Sequence, residues 1–304
     1  MSNQEEKAEV VVGTAGWDYP DWKGVFYPQP MRKGEHPLSY LSSFFDAVEI
    51  NSTYYHPPRA DFAARWIRYV EGNRNFMFTA KLWQRFTHQR KSRPTEEEVD
   101  LFKSGIAPLV ETNRFGGLLV QFPWSFKNKQ ENLDWLCMVL DMFTEFPISL
   151  EVRHASWNVP EIYELLHRKK VGICNIDQPL FNHSIAPDSM VTSRLGYIRL
   201  HGQNYKDWFR EDANRDERYN YLYQEEELTP WVEKIQRMRE TTKRIFVITN
   251  NHYRGQAAVN GLQLLHKLSG QRVKVPDPLL NAYPQLARIR EETAHREQGR
   301  LPGF

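Results

Sequence analysis

The chain has 304 residues, 40% hydrophobic and 26% charged, a balance that supports one large buried core. A formal net charge of +2 excludes a whole-protein field for nucleic acid or membrane, so any basic site must be local. Two cysteines, Cys137 and Cys174, sit in apolar runs without C-x-x-C spacing, which argues against a disulfide framework or zinc-thiolate site and fits a reduced cytoplasm.

Residues 1–9 are polar and acidic and lack the basic-then-apolar order of a signal peptide. No apolar run approaches the roughly 20 residues that span a bilayer. The expectation is a cytoplasmic protein with no membrane partner; the oligomeric state is left open.

Eight short β-branched or apolar runs then recur, at 10–14, 47–51, 76–81, 117–121, 148–152, 171–177, 196–201 and 245–249. Runs apolar nearly throughout suit strands buried on both faces, as in a parallel sheet. Segments of helical spacing lie between them. Residues 61–70 carry Phe62, Trp66, Ile67 and Val70; residues 132–143 carry Leu133, Leu136, Leu140 and Phe143; residues 231–238 carry Trp231, Ile235 and Met238. Pro94-Thr95 before three glutamates, and Thr229-Pro230 before Trp231, read as helix starts. Pro108 interrupts the third helical pattern, and the segment after Asp177 is poorly helical.

Strand then helix, eight times, predicts a single-domain (β/α)8 TIM-type barrel over 1–275. Residues 276–304 read as a C-terminal appendage with one charged helix, roughly 284–297. The alternative, an open doubly wound sheet, would show G-x-G-x-x-G after its first strand, and Gly13-Thr14-Ala15-Gly16-Trp17 is not that.

Chemistry in such a barrel sits at the carboxyl ends of the strands. Every strand after the first ends in or runs into polar residues: Glu49 and Asn51, Lys81, Gln121, Glu151 with Arg153, Asp177, Arg199 with His201, and Asn250, Asn251 and His252. One such residue is ordinarily a salt-bridge partner or cap; so many together point to a pocket, because buried charge is costly. The alternation along a strand puts Glu49 with Asn51, Glu151 with Arg153, and Arg199 with His201 on common faces. The following loops carry Trp17, Trp22, Tyr54, Tyr55, Trp83, Trp124, Trp157 and Trp208, which predicts an aromatic rim for a ring-containing ligand, although each also suits loop packing. Gly202 with Lys206, and Arg254 with Gly255, suit an anion or phosphate. A metal is weighed and set aside: Lys81, Arg153 and Arg199 share the ring with Glu49, Glu151, Asp177, His201 and His252, and fixed cations neutralise the carboxylates that a metal needs. No cofactor is expected; one divalent ion is the alternative.

Gly13-Thr14-Ala15-Gly16-Trp17 with Tyr19, Trp22, Gly24 and Phe26-Tyr27-Pro28 resembles the opening signature of the domain-of-unknown-function family 72, the YecE-like TIM-barrel proteins. Val48 to Tyr55 with Pro58, Lys81 with Thr87-His88, Gln121-Phe122-Pro123, Glu151 to His154 with Trp157, Asp177, Arg199 to Gly202 and Asn250-Asn251-His252 are similar to its later blocks. The likeness runs from about residue 11 to 268, with slight departures at Ala15, where serine is common, and Val152, where phenylalanine is common. It implies a TIM-type barrel and supplies no activity.

The functional expectation is an enzyme, a hydrolase, lyase or isomerase, acting on a polyhydroxylated, phosphate-bearing ring compound such as a sugar phosphate or nucleotide fragment. Glu49 and Glu151 are the expected acid/base pair, one pKa raised by the other's charge. Lys81, Arg153 and Arg199 would hold anionic groups and His201 relay a proton. Asp177 is grouped with the catalytic residues. Trp17, Trp22, Asn51, Tyr54, Gln121, Asn250, Asn251 and His252 would bind the ligand. Two alternatives stand beside this: a nucleic-acid binding or nuclease-like protein using Arg85, Arg90, Lys91 and Arg93, and a non-catalytic metabolite sensor.

Overall fold

The apolar runs form eight parallel strands in the computed structural model, which describes residues 7–292. They are β1 (Glu9–Ala15), β2 (Ala47–Ile50), β3 (Met77–Lys81), β4 (Phe115–Gln121), β5 (Ile148–Glu151), β6 (Gly172–Asp177), β7 (Leu195–Leu200) and β8 (Arg244–Thr249). Each pairs with its neighbours in chain order, and β1 also pairs with β8, so the barrel closes. Closure leaves no open sheet edge and sets all eight carboxyl ends around one mouth.

Helices α1 (Pro37–Leu41), α2 (Ala60–Tyr69), α3 (Glu96–Glu111), α4 (Gln130–Met142), α5 (Pro160–Lys169), α6 (Glu225–Met238) and α7 (Gln256–Ser269) return the chain along the outside. Thr95 caps α3 through a reciprocal box with Glu98, as the sequence predicts. Pro108 does not break α3: it lies in the last turns, where its carbonyl accepts a bond of 2.7 Å from the Thr112 hydroxyl. The start expected at Thr229-Pro230 is displaced. Gln224 caps α6 by a box with Glu227, and Pro230 lies inside the helix. Three glutamates in that first turn, favourable at a helix amino end, place the start earlier.

Between β6 and β7 there is no helix. Pro179 and Pro187 punctuate that stretch, and it is pinned instead by Thr192, whose hydroxyl accepts from the Ile173 amide at 2.7 Å and donates to the Val171 carbonyl at 2.7 Å. The amino-terminal end of the barrel is plugged by apolar packing. A Cβ at Gly116 would lie 2.2 Å from the Phe246 ring, so only glycine admits that ring.

After residue 275 the chain packs back onto the barrel. Leu279, in α8 (Asp277–Ala282), and Leu286 are buried in the main core, and Val273 pairs with Arg290. The helix expected over about 284–297 is a 3-10 turn at Pro284–Arg288, and its later residues lie outside those described. Neither cysteine is in a disulfide. No helix among the described residues is long and apolar enough to cross a membrane.

Candidate functional site

Alternation along the strands turns Glu49 on β2, Thr79 on β3, Glu151 on β5, and Tyr197 and Arg199 on β7 toward the barrel axis, where their side chains meet. Arg199 stands between two carboxylates: Nη1 donates to Glu151 Oε2 at 2.6 Å and Nη2 to Glu49 Oε1 at 2.7 Å. Tyr197 adds a hydroxyl bond of 2.9 Å to Glu49, and Arg153 grips Glu151 from above through Nε at 2.9 Å and Nη2 at 2.8 Å. Both carboxylates are 0% exposed and Arg199 is 2% exposed. Charges that deep persist because they are paired and hydrogen-bonded.

The pairing reverses one expectation. Burial pushes the Glu151 carboxyl up, but Arg199, Arg153 and His201 together outweigh it and hold it well below the usual range. The anticipated mutual repulsion of Glu49 and Glu151 is outweighed, because the Arg199 guanidinium lies between them and Arg153 grips Glu151 as well. Burial lowers Arg199, yet Glu151 and Glu49 more than offset this and raise it.

Over this ring lies a cavity of about 470 Å³. Lys81, Arg153, Arg199 and Arg218 line it, with no carboxylate among the described residues that do so. Asn51, Gln121 and Asn250 supply neutral polar groups, His88 and His252 imidazoles, and Tyr19, Tyr54, Tyr55, Tyr219 and Trp124 aromatic surface. Lys81 Nζ lies 4.1 Å above the Tyr54 ring and has no ion-pair or hydrogen-bond partner among the described residues. Burial, then Arg199, lowers its amine to about 7, the pull of Glu151 and Glu49 notwithstanding. His88, edge-on to Tyr54, is lowered to about 4 by burial and then by Lys81 and Arg153, so it is neutral.

Several expected site residues stand elsewhere. Glu49 and Glu151 lie beneath the arginines and do not line the cavity. His201, lowered to about 3 chiefly by burial, is neutral: Asn250 donates to its Nδ1 at 2.9 Å, and its Nε2 lies 3.4 Å from Glu151. That is too low for a proton relay near neutral pH. Asp177 shares the face of Asn175, which bonds the Met190 backbone, so it turns away from the axis and accepts from Gln203 at 3.0 Å. Asn251, one residue past Asn250, faces the opposite way and bonds Tyr221 and Asn260.

Most of the tryptophan rim is packing. Trp22 is buried and donates to the His252 carbonyl at 2.6 Å, while Trp17 meets Trp66 edge-on at 5.7 Å. Trp157 donates to the Phe126 carbonyl, Trp83 packs on Phe86, and Trp208 lies buried beside Tyr219. Of the six rim tryptophans only Trp124 lines the cavity, and tyrosines supply the rest of its aromatic surface. The two loops expected to hold phosphate are also occupied. The Gly202 amide donates to Tyr223 at 2.7 Å, the Gly255 amide to the His252 carbonyl, and the Arg254 amide to Asp21. Arg85 spends its donors on Glu98 and on the backbone of Gln89, Ser92 and Arg93, and Arg90 bonds Asn132.

Tyr19, His88, Arg218 and Tyr219 also line the cavity, beyond the ligand contacts expected from sequence. Thr87-His88 was visible as a motif after β3. Arg218 and Tyr219 belong to the long stretch between β7 and α6, whose length without helical spacing is itself a signal of a functional loop.

A family model described as "Protein of unknown function DUF72" matches residues 11–285. The UPF0759 protein YunF of Bacillus subtilis is 31% identical over 274 residues, covering 85% of this chain and 94% of that protein. A DUF72 family protein of Thermotoga maritima MSB8, known from its crystal structure, superposes with a TM-score of 0.78 at 34% identity, covering 86% of this chain and 99% of that one. Another, from Enterococcus faecalis V583, gives a TM-score of 0.74 at 26% identity over 86% of this chain and 95% of that one.

Proposed function

The chain belongs to the DUF72 family, and on that premise we propose that it is an enzyme acting on an anionic, polyhydroxylated compound of sugar-phosphate or nucleotide-fragment size. The observation that carries the reading is a cavity of about 470 Å³ whose described lining residues include four cationic side chains and no carboxylate. That volume suits a small metabolite. Arg153 and Arg199 present guanidinium groups suited to phosphate or carboxylate oxygens, while Asn51, Gln121 and Asn250 suit hydroxyl groups.

The roles shift from those drawn from sequence alone. Glu49 and Glu151 hold the guanidinium groups in place, and proton transfer falls to Lys81, whose amine at about 7 is poised for it. Arg199 and Arg153 together balance the two carboxylates, which argues against a metal there. The nucleic-acid alternative loses ground because Arg85 and Arg90 are engaged within the fold.

The test is ligand-induced thermal stabilisation with ribose 5-phosphate, inorganic phosphate and unphosphorylated ribose. The two phosphates should stabilise the protein and ribose should not. Arg153→Met should weaken phosphate affinity about tenfold or more, the worth of a charge-assisted bond. No stabilisation by either phosphate at millimolar concentration would sink the reading; a steep salt-dependent affinity for DNA would favour the alternative. Conversion of the bound sugar phosphate, followed by NMR, separates an enzyme from a sensor.

A further inference from the structure

A lysine inside a charged ring ordinarily has an acceptor. Arg153 and Arg199 both take carboxylate oxygens, whereas Lys81 takes none among the described residues. Its ammonium rests on the Tyr54 ring at 4.1 Å, a contact that holds the group without removing a proton. Tyr54 is itself raised to about 12, by burial first and Tyr55 next, so its hydroxyl stays protonated and offers no phenolate. The two buried carboxylates are occupied by guanidinium groups, and the cationic neighbours Arg199 and Arg153 oppose protonation of Lys81. Lys81 thus ends β3 as an amine open to the cavity, beside groups that suit an anion.

We infer that Lys81 is a covalent nucleophile that captures a carbonyl group of the ligand as a protonated imine. This deepens, and rests on, the reading of the cavity as an anion-binding enzyme site. In the step, the Nζ lone pair adds to the carbonyl carbon and the C=O π pair moves to oxygen. That oxygen takes the proton nitrogen gives up. The resulting hydroxyl, on accepting a further proton from bulk water, leaves as water while nitrogen forms the C=N bond. One water leaves, one C=N bond forms, and nothing is oxidised or reduced. The substrate class narrows to open-chain aldehydes or ketones bearing phosphate or carboxylate, with the anion on Arg153 and Arg199. An amine with a pKa near 7 has roughly a thousandfold more free base at neutral pH than one near 10.4.

The experiment treats the full-length protein at pH 7 with cyanoborohydride and one of two probes, glyoxylate or dihydroxyacetone phosphate, and reads each lysine by peptide mass spectrometry. Formaldehyde, which needs no binding site, serves as a third probe. Lys81 should be labelled at least about tenfold faster than the exposed Lys33 and Lys91. Inorganic phosphate should slow its reaction with the two anionic probes. Lys81→Arg, which keeps the charge, should retain stabilisation by phosphate while losing the adduct at that position. Labelling of Lys81 no faster than Lys33 with all three probes overturns the inference. If phosphate still stabilises the protein, the anion-site reading survives that failure; if phosphate does not, both fail. Selective labelling by formaldehyde alone also overturns it, since a reactive amine would then lack a carbonyl ligand.

Discussion

Two buried polar clusters at the carboxyl ends of the strands look alike in sequence and differ in what they face. The inner one, on the barrel axis, joins Glu49, Glu151, Arg153, Tyr197 and Arg199. The outer one lies between the barrel and α7. There Asn260 Oδ1 accepts from the Tyr223 amide at 3.1 Å and from Asn251 Nδ2 at 2.7 Å, while its Nδ2 donates to the Tyr223 carbonyl at 3.0 Å and Gln263 at 2.7 Å. The outer cluster ties the β7–α6 stretch to α7 through neutral groups. In the inner one Lys81, Arg153 and Arg199 reach a cavity; each cluster also keeps one buried atom without a hydrogen-bond partner among the described residues, Arg199 Nε in the inner and Asn251 Oδ1 in the outer. The outer groups face one another and the packed helix, whereas the inner ones face a cavity. A strand-end polar residue is therefore a site residue only where its parity turns it inward.

The sharpest way to break this contrast is Arg199→Met. It leaves Glu49 buried without its cation and Glu151 with Arg153 alone, and should cost about 3–5 kcal/mol of stability, together with phosphate-induced stabilisation. The pH dependence follows from Glu151. Its folded pKa lies below the unfolded one, so its contribution is complete above about pH 4.3 and is lost as pH falls through the folded value. The difference between wild type and variant should accordingly narrow in acid. Urea unfolding at pH 7 and at steps downward from about pH 4.3 checks both points, and a loss under about 1 kcal/mol at pH 7 would mean that the ring is not what holds the mouth.

Asn260→Ala addresses the outer cluster alone. Removing an amide that makes four bonds should cost about 2–3 kcal/mol, yet leave the affinity for phosphate unchanged in calorimetry. A tenfold loss of affinity would show that the two clusters act as one.

Lys81→Met carries the smallest effect and the opposite sign. The folded amine titrates near 7 and the unfolded one near 10.4, so between those values the unfolded chain binds the extra proton. Wild-type stability rises with pH across that window, and the full cost of the buried ammonium is present below it. The variant, free of that cost, should gain about 1–2 kcal/mol at pH 6, after discounting for partial solvent access, and less at pH 9. Equal gains at the two pH values would mean that Lys81 is not perturbed.

The sequence alone determined the barrel and the strand ends. Runs apolar on both faces require a parallel sheet covered on both sides, and that signal is local, so β1 to β8 fall within two residues of their expected places. It also placed Glu151 with Arg153, and Glu49 with Asn51, on shared faces, because a period of two needs no tertiary contact. What tertiary structure decided was the sense of each face and the partner across the axis. Nothing local tells Asp177 to turn outward to Gln203 while Arg199 turns inward to Glu49, 150 positions away in the chain. Nor does composition show that two guanidinium groups claim both carboxylates and leave Lys81 without an acceptor among the described residues. Those outcomes depend on which strands closure sets opposite one another, and closure is a property of the whole barrel.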